Sequence, residues 1–336
     1  MSVRIGKIDL GELPVCLSPM AGTSSVTFRG ICCENGASYC PTELTSARSI
    51  VYNGFEKSFR FMEIDPSAEK VTCIQLFGSE SEDFVYAIDA ICSHELLGQV
   101  DIIDINMGCP VSKVVKTGAG SALIKDPERA GNIVTKAVKA ASSHNKALTV
   151  KTRIGFAADD RSGPEFARVL AGSGAMAITV HGRTASQMYH GVADHDAVAA
   201  MREAVREFDI PFFANGDVTD GESARRILDK TGADGLMIGR AAMGDPWIFG
   251  RVNAYLQGKE TPLQPTPREK CDMMLRELEG TASHIGEKTA VKEMRSVYPH
   301  YIKGLPGAAS FKNELMTAVT VEDVRKIIEK GLALWT

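Results

Sequence analysis

The amino-acid sequence predicts an α/β protein, a (β/α)8 TIM barrel with a C-terminal all-helical domain. Short apolar runs alternate eight times with longer amphipathic runs, which is the pattern of successive strand and helix units. A doubly wound sheet is less suitable, because no G-x-G-x-x-G follows the first strand. After Asp245 only helix-like runs follow. We therefore expect a barrel domain over residues 1–245 and a helical domain with its linker over residues 246–336.

Each predicted strand is short and apolar, and several of the helix-like stretches are opened by Asp, Ser or Pro in cap positions, which suit the start of a helix. The predicted strands are 15–18, 37–39, 72–77, 102–106, 148–154, 177–181, 210–214 and 235–238. The predicted helices include 81–97, 127–142, 164–173, 195–207 and 221–231, then 246–256, 267–284, 288–301 and 321–334. The segment 3–13 alternates and breaks at Gly11, so it predicts a hairpin that closes the N-terminal mouth of the barrel.

Composition excludes several classes of protein. The 336 residues are 44% hydrophobic and 24% charged, as in an ordinary globular protein. The formal net charge of -4 gives no global basic field, so any RNA binding has to come from a local patch. Eight cysteines without a C-x-x-C pair argue against a zinc ribbon or a disulfide framework, and no metal site is expected.

No stretch approaches 18 apolar residues, and the N-terminus lacks the apolar core of a secretion signal. The sequence therefore predicts no membrane association and a cytoplasmic location. No obligate protein partner is evident.

Polar residues gather where the predicted strands end, and in a barrel this end carries the chemistry. Singly they have ordinary explanations, such as a hydrogen-bonded core histidine at His181 or a turn at Asn215. Their occurrence at seven of eight strands is hard to attribute to core packing. These segments are 19–22, Gln75, 106–110, Lys151 with Arg153, 181–183, 215–217 and 239–240.

The residues after strands 7 and 8 supply glycines, backbone N–H groups and a cation, which indicates a phosphorylated ligand. Lys151 would bring positive charge near a group that becomes anionic during reaction. Cys109 would be protonated at neutral pH at its reference pKa of about 8.5, so it could act as a general acid. It could equally act as a nucleophile if a base lowered its pKa, and the sequence leaves both roles open.

The run D-I-N-M-G-C-P at 104–110, followed by G-A-G-S-A-L at 118–123, resembles the signature of the tRNA-dihydrouridine synthases. P-M-A-G at 19–22, K-T-R at 151–153, H-G-R-T at 181–184, N-G-D at 215–217, G-R-A-A at 239–242 and P-W-I-F at 246–249 stand in that family's order and approximate spacing. The likeness runs the full length and is nearest the bacterial B-type branch. It departs at 41–44, where P-T-E-L replaces a more usual S-E-M, and at 115–116, where V-K follows Lys113 and Val114.

The resemblance implies an oxidoreductase that reduces a uridine of tRNA, with FMN as cofactor and NADPH as reductant. Carbon 6 of uracil would receive a hydride from the flavin, and Cys109 would be the catalytic acid that protonates carbon 5. The helical domain would recognise tRNA. By position, the FMN site would comprise Pro19, Met20, Ala21, Gln75, Lys151, His181, Asn215, Gly216, Asp217, Gly239 and Arg240.

Substrate binding would involve Asn106, Arg153 and Arg183 at the barrel mouth and a basic helix in the C-terminal region. Lys292 and Arg295 share one face of that helix at i, i+3 spacing. So small a cluster, by itself, is more typical of a solvated helix face than of an RNA contact.

Other functions remain open from sequence alone. A flavin barrel could instead act on a free pyrimidine, as dihydroorotate and dihydropyrimidine dehydrogenases do, although the extra helical domain argues against this. A ribosomal RNA substrate is a nearer variant. A noncatalytic RNA-binding protein is disfavoured by the presence of Cys109, Lys151 and His181 together.

Overall fold

A computed structural model of the protein describes residues 2–335. It contains eleven strands: β1 (Arg4–Ile5), β2 (Ile8–Asp9), β3 (Val15–Leu17), β4 (Cys40–Pro41), β5 (Thr45–Ser46), β6 (Thr72–Phe77), β7 (Ile102–Met107), β8 (Ala147–Arg153), β9 (Ile178–His181), β10 (Phe212–Asn215) and β11 (Gly235–Ile238).

The α-helices are α1 (Val26–Glu34), α2 (Ala47–Asn53), α3 (Phe59–Met62), α4 (Ser81–Ser93), α5 (Ser112–Val115), α6 (Pro127–Ser143), α7 (Gly163–Gly172), α8 (His195–Ala204), α9 (Gly221–Thr231), α10 (Ile248–Leu256), α11 (Pro267–Ile285), α12 (Glu287–Glu293), α13 (Tyr298–Tyr301), α14 (Ala308–Thr317) and α15 (Val321–Trp335). Short 3-10 segments lie at Leu97–Gln99, Gly120–Lys125, Arg206–Phe208, Arg240–Ala242 and Met294–Ser296.

The main sheet is a parallel barrel with the strand order β3-β11-β10-β9-β8-β7-β6-β4. Its two ends approach each other, because the Leu17 N–H donates to the Tyr39 carbonyl at 3.1 Å and the Ser38 N–H donates to the Val15 carbonyl at 2.9 Å. The buried side chains of the strands and of the surrounding helices form one large core cluster. The predicted (β/α)8 TIM barrel is confirmed.

The second strand differs from its prediction over 37–39. It lies at Cys40–Pro41, and a further short strand, β5, pairs with the end of β6. Past Pro41 the Thr42 N–H still donates to the Cys73 carbonyl of β6 at 2.9 Å. The next N–H of β6, that of Gln75, donates to the Thr42 hydroxyl at 3.0 Å and not to a backbone carbonyl, so the ladder ends here. This local substitution depends on a neighbouring strand, so it was not visible in the sequence.

The N-terminal hairpin is confirmed. β1 and β2 pair antiparallel, and Ile5 is fully buried in a cluster formed by residues at the N-terminal ends of the barrel strands, including Cys73, Ile102 and Phe213. This plug closes one mouth of the barrel with apolar side chains, so the polar residues are left at the opposite mouth.

The C-terminal residues form helices α10 to α15. Ile248, Phe249 and Val252 of α10 pack in the core cluster of the barrel, whereas the second apolar cluster begins at Cys271 of α11. The predicted helix 288–301 is broken into α12, a 3-10 turn and α13. Pro299 near the start of α13 explains a break, since proline cannot donate the helical hydrogen bond. The sequence did not identify α14. The division at residue 245 stays a prediction.

Within residues 2–335, every helix is too short or too polar to cross a lipid bilayer.

Candidate active site

The loop that carries Cys109 is held by Asn106, the penultimate residue of β7. The Asn106 Oδ1 atom accepts the backbone N–H of Gly108 at 3.1 Å and that of Cys109 at 2.8 Å. Asn106 is only 8% exposed, so these hydrogen bonds form away from bulk water. The asparagine therefore fixes the direction in which the chain leaves the strand, and with it the position of the Cys109 thiol.

Two glycines allow this loop to pack tightly. A Cβ atom on Gly108 would approach the backbone of Thr152 in β8 to 3.2 Å. Gly120 has φ +60° and a Cβ there would meet the Cys109 carbonyl oxygen at 2.8 Å. Any larger residue at Gly120 would be strained and would push the cysteine loop away. The G-A-G-S segment at 118–121 thus packs directly against the cysteine loop.

Burial raises the pKa of the Cys109 thiol above its usual range, although the Val111 N–H and the cations Arg153 and Lys151 oppose the shift. The thiol is therefore protonated at neutral pH. A protonated thiol suits proton donation rather than nucleophilic attack.

A buried polar network extends from Asn106 across three strands. The Asn106 Nδ2 atom donates to Gln75 at 2.9 Å, and Gln75 donates to Asp104 at 2.7 Å. Asp104 also accepts the Thr149 hydroxyl at 2.6 Å. Burial raises the pKa of Asp104, against these hydrogen bonds and the charge of Lys151. Sequence reasoning missed Asp104 and Thr149, although Asp104 stands inside the D-I-N-M-G-C-P run.

Lys151 points from β8 toward Asn215 at the end of β10. Its Nζ atom donates to Asn215 Oδ1 at 3.0 Å, and Asn215 donates onward to the Met237 carbonyl at 2.9 Å. Lys151 is only 9% exposed. Burial, together with the nearby Arg153, lowers its pKa to about 8. An ammonium group held in this way is favoured by a negatively charged neighbour.

His181, at the end of β9, is kept neutral by its surroundings. Burial lowers its pKa strongly, and four cations act in the same direction: Lys151, Arg153, Arg183 and Arg240. Neutral imidazole can donate one hydrogen bond and accept another, whereas imidazolium could only donate. The concentration of four cations around one side chain makes this mouth of the barrel electropositive.

Arg183 and Asp217 form an ion pair within the protein. The Arg183 guanidinium is 2% exposed and its Nη2 atom lies 2.8 Å from both oxygens of Asp217. Burial would raise the pKa of Asp217, but the Ala193 N–H and Arg183 hold it below its usual range. Arg183 also donates to the carbonyls of His190 and Gly191. Its donors are thus largely used inside the fold.

Arg153, on β8, anchors the same loop from the other side. Its guanidinium donates to the Gly108 carbonyl at 2.7 Å and to the carbonyls of Thr184 and Met188 at 3.0 and 2.9 Å. It therefore joins the cysteine loop to the segment 184–193, which is called here the β9 loop. Burial lowers the pKa of Arg153 to about 10, so it remains a cation at neutral pH.

The β9 loop carries an aromatic residue that sequence reasoning missed. Tyr189 is 52% exposed, and the guanidinium carbons of Arg153 and Arg240 both lie 5.8 Å from the centre of its ring. Two cations beside one exposed ring form a surface on which a nucleobase can stack. The position of Tyr189 shortly after the H-G-R-T motif is the feature of the sequence that could have indicated it.

The loop after β3 has its own anchors. The Met20 N–H donates to Ser24 Oγ at 2.9 Å, and the Gly22 N–H donates to Glu43 Oε2 at 2.8 Å. Pro19 and Met20 are half-buried and Ala21 is exposed. A Cβ on Gly239 would lie 3.8 Å from the Met20 sulfur, so the loops after β3 and β11 face each other.

Gly216 and Arg240 stand on the loops after β10 and β11. Gly216 has φ +123°, and a Cβ there would come within 2.9 Å of Ala193. The Arg240 side chain is 57% exposed and lies 3.5 Å from Asp217. The 3-10 turn that begins at Arg240 leaves N–H groups at its start without partners inside the turn.

Lys292 and Arg295 lie in the helical region, not among the barrel-mouth residues. Lys292 is exposed on α12. Arg295 is half-buried and donates to the Ala318 carbonyl at 2.9 Å, while its Nε atom is buried without a partner. Arg295 therefore contributes to packing in the helical region.

The residues at the mouth suit FMN. The site offers a nearly buried ammonium, exposed Arg240 and glycine-flanked backbone N–H groups, a donor set that matches a phosphate and an electron-rich ring. Among residues 2–335, no cluster of three or more His, Cys, Asp and Glu side chains could hold a metal ion. Two surface grooves lie elsewhere, one between α1 and α11 and one beside Arg325.

These features define a class: a barrel enzyme with an electropositive mouth and a protonated cysteine beside it. Comparison with known proteins agrees. A family model described as dihydrouridine synthase (Dus) matches residues 16–333. The chain therefore belongs to the dihydrouridine synthase family of oxidoreductases.

Two relatives show the extent of the similarity. The chain is 36% identical over 337 residues to a tRNA-dihydrouridine synthase B of Pseudomonas syringae, covering 98% of this chain and 95% of the relative. It is 34% identical over 312 residues to a probable tRNA-dihydrouridine synthase of Rickettsia conorii, covering 92% and 90%.

Solved structures share the barrel at low sequence identity. Morphinone reductase in complex with tetrahydroNAD matches with a TM-score of 0.52 and 12% identity, covering 80% of this chain and 93% of that one. Histamine dehydrogenase from Rhizobium matches with a TM-score of 0.59 and 13% identity, covering 83% of this chain and 50% of that one. These matches support the fold alone.

Proposed function

We propose that this dihydrouridine synthase acts on tRNA, reducing the carbon 5–carbon 6 double bond of a uridine with FMN as cofactor and NADPH as reductant. The observation that carries the proposal is the Asn106-held loop, which presents a protonated cysteine beside an electropositive pocket. The two relatives named above, each matched over at least nine tenths of its length, are tRNA-dihydrouridine synthases by name, which supports tRNA as the substrate.

FMN would be held by Pro19, Met20, Ala21, Gln75, Lys151, His181, Asn215, Gly216, Asp217, Gly239 and Arg240. Bound there, FMN would supply the hydride chemistry that the pyrimidine reduction requires, with NADPH as the source of electrons. Asp217 would act through the Arg183 and Arg240 side chains that it contacts, since both of its oxygens already accept hydrogen bonds.

Lys151 has the charge that such a reaction requires. Its nearly buried ammonium would offset negative charge that develops in the pocket, and Asn215 keeps it aimed there. A bound anion would raise the pKa of Lys151 from about 8 and so keep it charged at neutral pH. Neutral His181 would orient a ligand by hydrogen bonds without adding another charge.

Cys109 would donate its proton to carbon 5 of uracil. The bond from hydrogen to sulfur breaks as the bond from hydrogen to carbon forms, and this removes the enolate that could otherwise return its hydride. The thiolate that remains lies near Arg153 and Lys151, whose charges stabilise it. Asn106 would position the thiol and the base edge, while Arg153 and Arg183 would chiefly hold the loops that line the site.

The target uridine would leave its stack and enter the barrel mouth, with the cost of unstacking offset by contacts elsewhere. The ring of Tyr189 suits stacking against a nucleobase. Exposed Lys113 and Lys116 on and next to α5, with Lys292 on α12, would contact phosphates. In this proposal the barrel over 1–245 is catalytic, and the helical domain over 246–336 recognises tRNA. A tRNA substrate would place the enzyme in the cytoplasm.

The test is the dihydrouridine content of unmodified tRNA, measured by mass spectrometry after incubation with purified protein and NADPH. The wild type should form dihydrouridine, and Cys109→Ala should form far less while retaining FMN absorbance. Cys92→Ala is the matched control, because Cys92 is also half-buried but lies at the end of α4. Its activity should equal that of the wild type.

Parallel assays with other substrates separate the alternatives. Turnover of free uracil or orotate at rates equal to tRNA turnover would favour a small-molecule dehydrogenase. Modification of ribosomal RNA in preference to tRNA would change the substrate assignment from tRNA to ribosomal RNA. A protein that neither binds FMN nor reduces any of these would contradict the proposal.

A further inference from the structure

Two cysteines outside the active site lie in contact. Cys33 is in the last turn of α1, and Cys40 begins β4. Their Sγ atoms are 3.6 Å apart, in the geometry of a hydrogen bond between two free thiols. Neither residue has a role in the reaction described above, so this contact is unexplained by the proposed function.

The two thiols differ in access. Cys40 is completely buried, whereas Cys33 is half-buried. Burial raises the pKa of Cys40 well above its usual range. The buried guanidinium of Arg29, which is paired with Glu69, interacts electrostatically with both sulfurs. A small reagent from solvent therefore reaches Cys33 first, and the buried Cys40 thiol lies in contact with Cys33.

We propose that Cys33 and Cys40 form a reversible redox site, in which a peroxide oxidises Cys33 and Cys40 then closes a disulfide. The Cys33 thiolate attacks one peroxide oxygen, the O–O bond breaks, and a sulfenic acid and hydroxide form. The Cys40 sulfur then attacks the Cys33 sulfur, and the departing hydroxide leaves as water with the Cys40 proton. The two thiols lose two electrons and two protons, and the peroxide becomes two waters.

The required movement is small. A disulfide brings two sulfurs to about 2.05 Å, so these atoms must approach by roughly 1.6 Å. The cross-link would join the end of α1 to the barrel sheet. The same turn of α1 carries Glu34, whose carboxylate pairs with Arg276 of α11. The redox site thus lies beside a contact between the barrel and the C-terminal helices.

The test uses the full-length protein, purified under reducing conditions and then treated with hydrogen peroxide. The intact mass should fall by two hydrogens, and peptide mapping without reductant should recover Cys33 linked to Cys40. Dithiothreitol should restore the original mass. Absence of the linked peptide, or stable conversion of Cys33 to a sulfinic acid without a cross-link, would overturn the proposal.

Variants separate this pair from other thiols. Cys33→Ser should abolish the loss of two hydrogens, whereas Cys92→Ser should leave it unchanged. Cys33 is half-buried, so its substitution is tolerated more readily than substitution of buried Cys40. If Cys33→Ser still forms the same number of disulfides, another pair accounts for the oxidation and the assignment is wrong.

Discussion

The Asn106 side-chain oxygen accepts the backbone N–H of Cys109 at 2.8 Å, so the end of β7 determines where the cysteine thiol lies. The same amide donates to Gln75 at 2.9 Å. One side chain therefore couples the cysteine loop to a buried network that reaches Asp104. Substitution of Asn106 should affect the reaction more than the binding of the cofactor.

We expect Asn106→Ala to lower dihydrouridine formation on the order of 10–100-fold, because the loop N–H groups and Gln75 lose their partner. The free energy of unfolding should fall by about 1–3 kcal/mol. FMN absorbance should persist after desalting. The control is Asn132→Ala, an exposed residue on α6, which should retain both activity and stability. Equal activity of the two variants would contradict the positioning role.

Lys151→Met tests the buried ammonium. The variant should bind FMN about 10–100-fold more weakly, since a charge-assisted contact is lost. The flavin-free variant should be more stable than flavin-free wild type at pH 7. The pKa of Lys151 is about 8 in the folded protein against 10.5 in the unfolded chain, so at pH 7 the wild type bears the cost of a buried charge that methionine avoids. Between these two pKa values the unfolded chain binds more protons than the folded protein, and the stability of the wild type therefore rises with pH.

The stability difference between Lys151→Met and wild type should therefore shrink as pH rises from about 8 toward 10.5. Urea unfolding at several pH values measures it. Lys136→Met is the control, because Lys136 forms an exposed ion pair with Glu82 and its loss should be nearly neutral. A pH-independent difference would exclude the titration of Lys151 as its cause.

Asp217→Ala should destabilise the fold by about 3 kcal/mol, because it leaves the Arg183 guanidinium buried without its carboxylate. Denaturant unfolding of the flavin-free protein measures this effect apart from cofactor binding. Glu203→Ala is the control, because it removes an exposed partner of Arg206. It should lower the free energy of unfolding by only about 0–1 kcal/mol, the usual range for surface ion pairs. Similar losses in both variants would refute the buried-pair interpretation.

Tyr189→Ala should raise the KM for tRNA or the Kd of the complex by an amount equivalent to about 1–3 kcal/mol, the range for stacking of one base. Tyr189→Phe should retain most of the affinity, since the ring remains. Tyr52→Ala is the matched control, because Tyr52 is also exposed and has Arg48 at 5.5 Å from its ring, but it lies on α2. Unchanged tRNA affinity in Tyr189→Ala would remove this residue from the interface.

Lys292→Glu and Arg295→Glu should behave differently, although the sequence groups them. Lys292 is exposed, so its reversal should weaken tRNA binding and leave the melting temperature unchanged. Arg295 donates to the Ala318 carbonyl, so a carboxylate there should repel that oxygen and lower the Tm. Unchanged tRNA affinity of Lys292→Glu at physiological salt would exclude this face of α12 from the interface.

Much of the fold was predictable because its signal is local. Alternation of apolar and amphipathic runs depends on neighbouring residues, and β6, β11 and α9 have the predicted bounds. The second strand lies later in the chain than predicted, and it ends where the Thr42 hydroxyl accepts the Gln75 N–H in place of a backbone carbonyl. That contact joins residues 33 positions apart, which no local pattern reports.

The candidate site shows the same division. The motifs identified Cys109, Asn106, Lys151 and His181 as residues at one end of the barrel, and the structure brings them to the same mouth. The motifs did not distinguish a side chain that faces a ligand from one that holds a loop. Arg183, for example, donates its hydrogen bonds to Asp217 and to carbonyls of the β9 loop.

The sequence by itself determined the barrel, the family and the set of polar residues at the barrel mouth, because each is encoded in short motifs and in hydrophobic periodicity. Only the tertiary structure decided which of these residues are paired with one another, that Tyr189 lies beside two arginines, and that Cys33 touches Cys40. Hydrogen bonding, burial and the resulting pKa shifts depend on neighbours from distant parts of the chain, and folding is what brings those neighbours together.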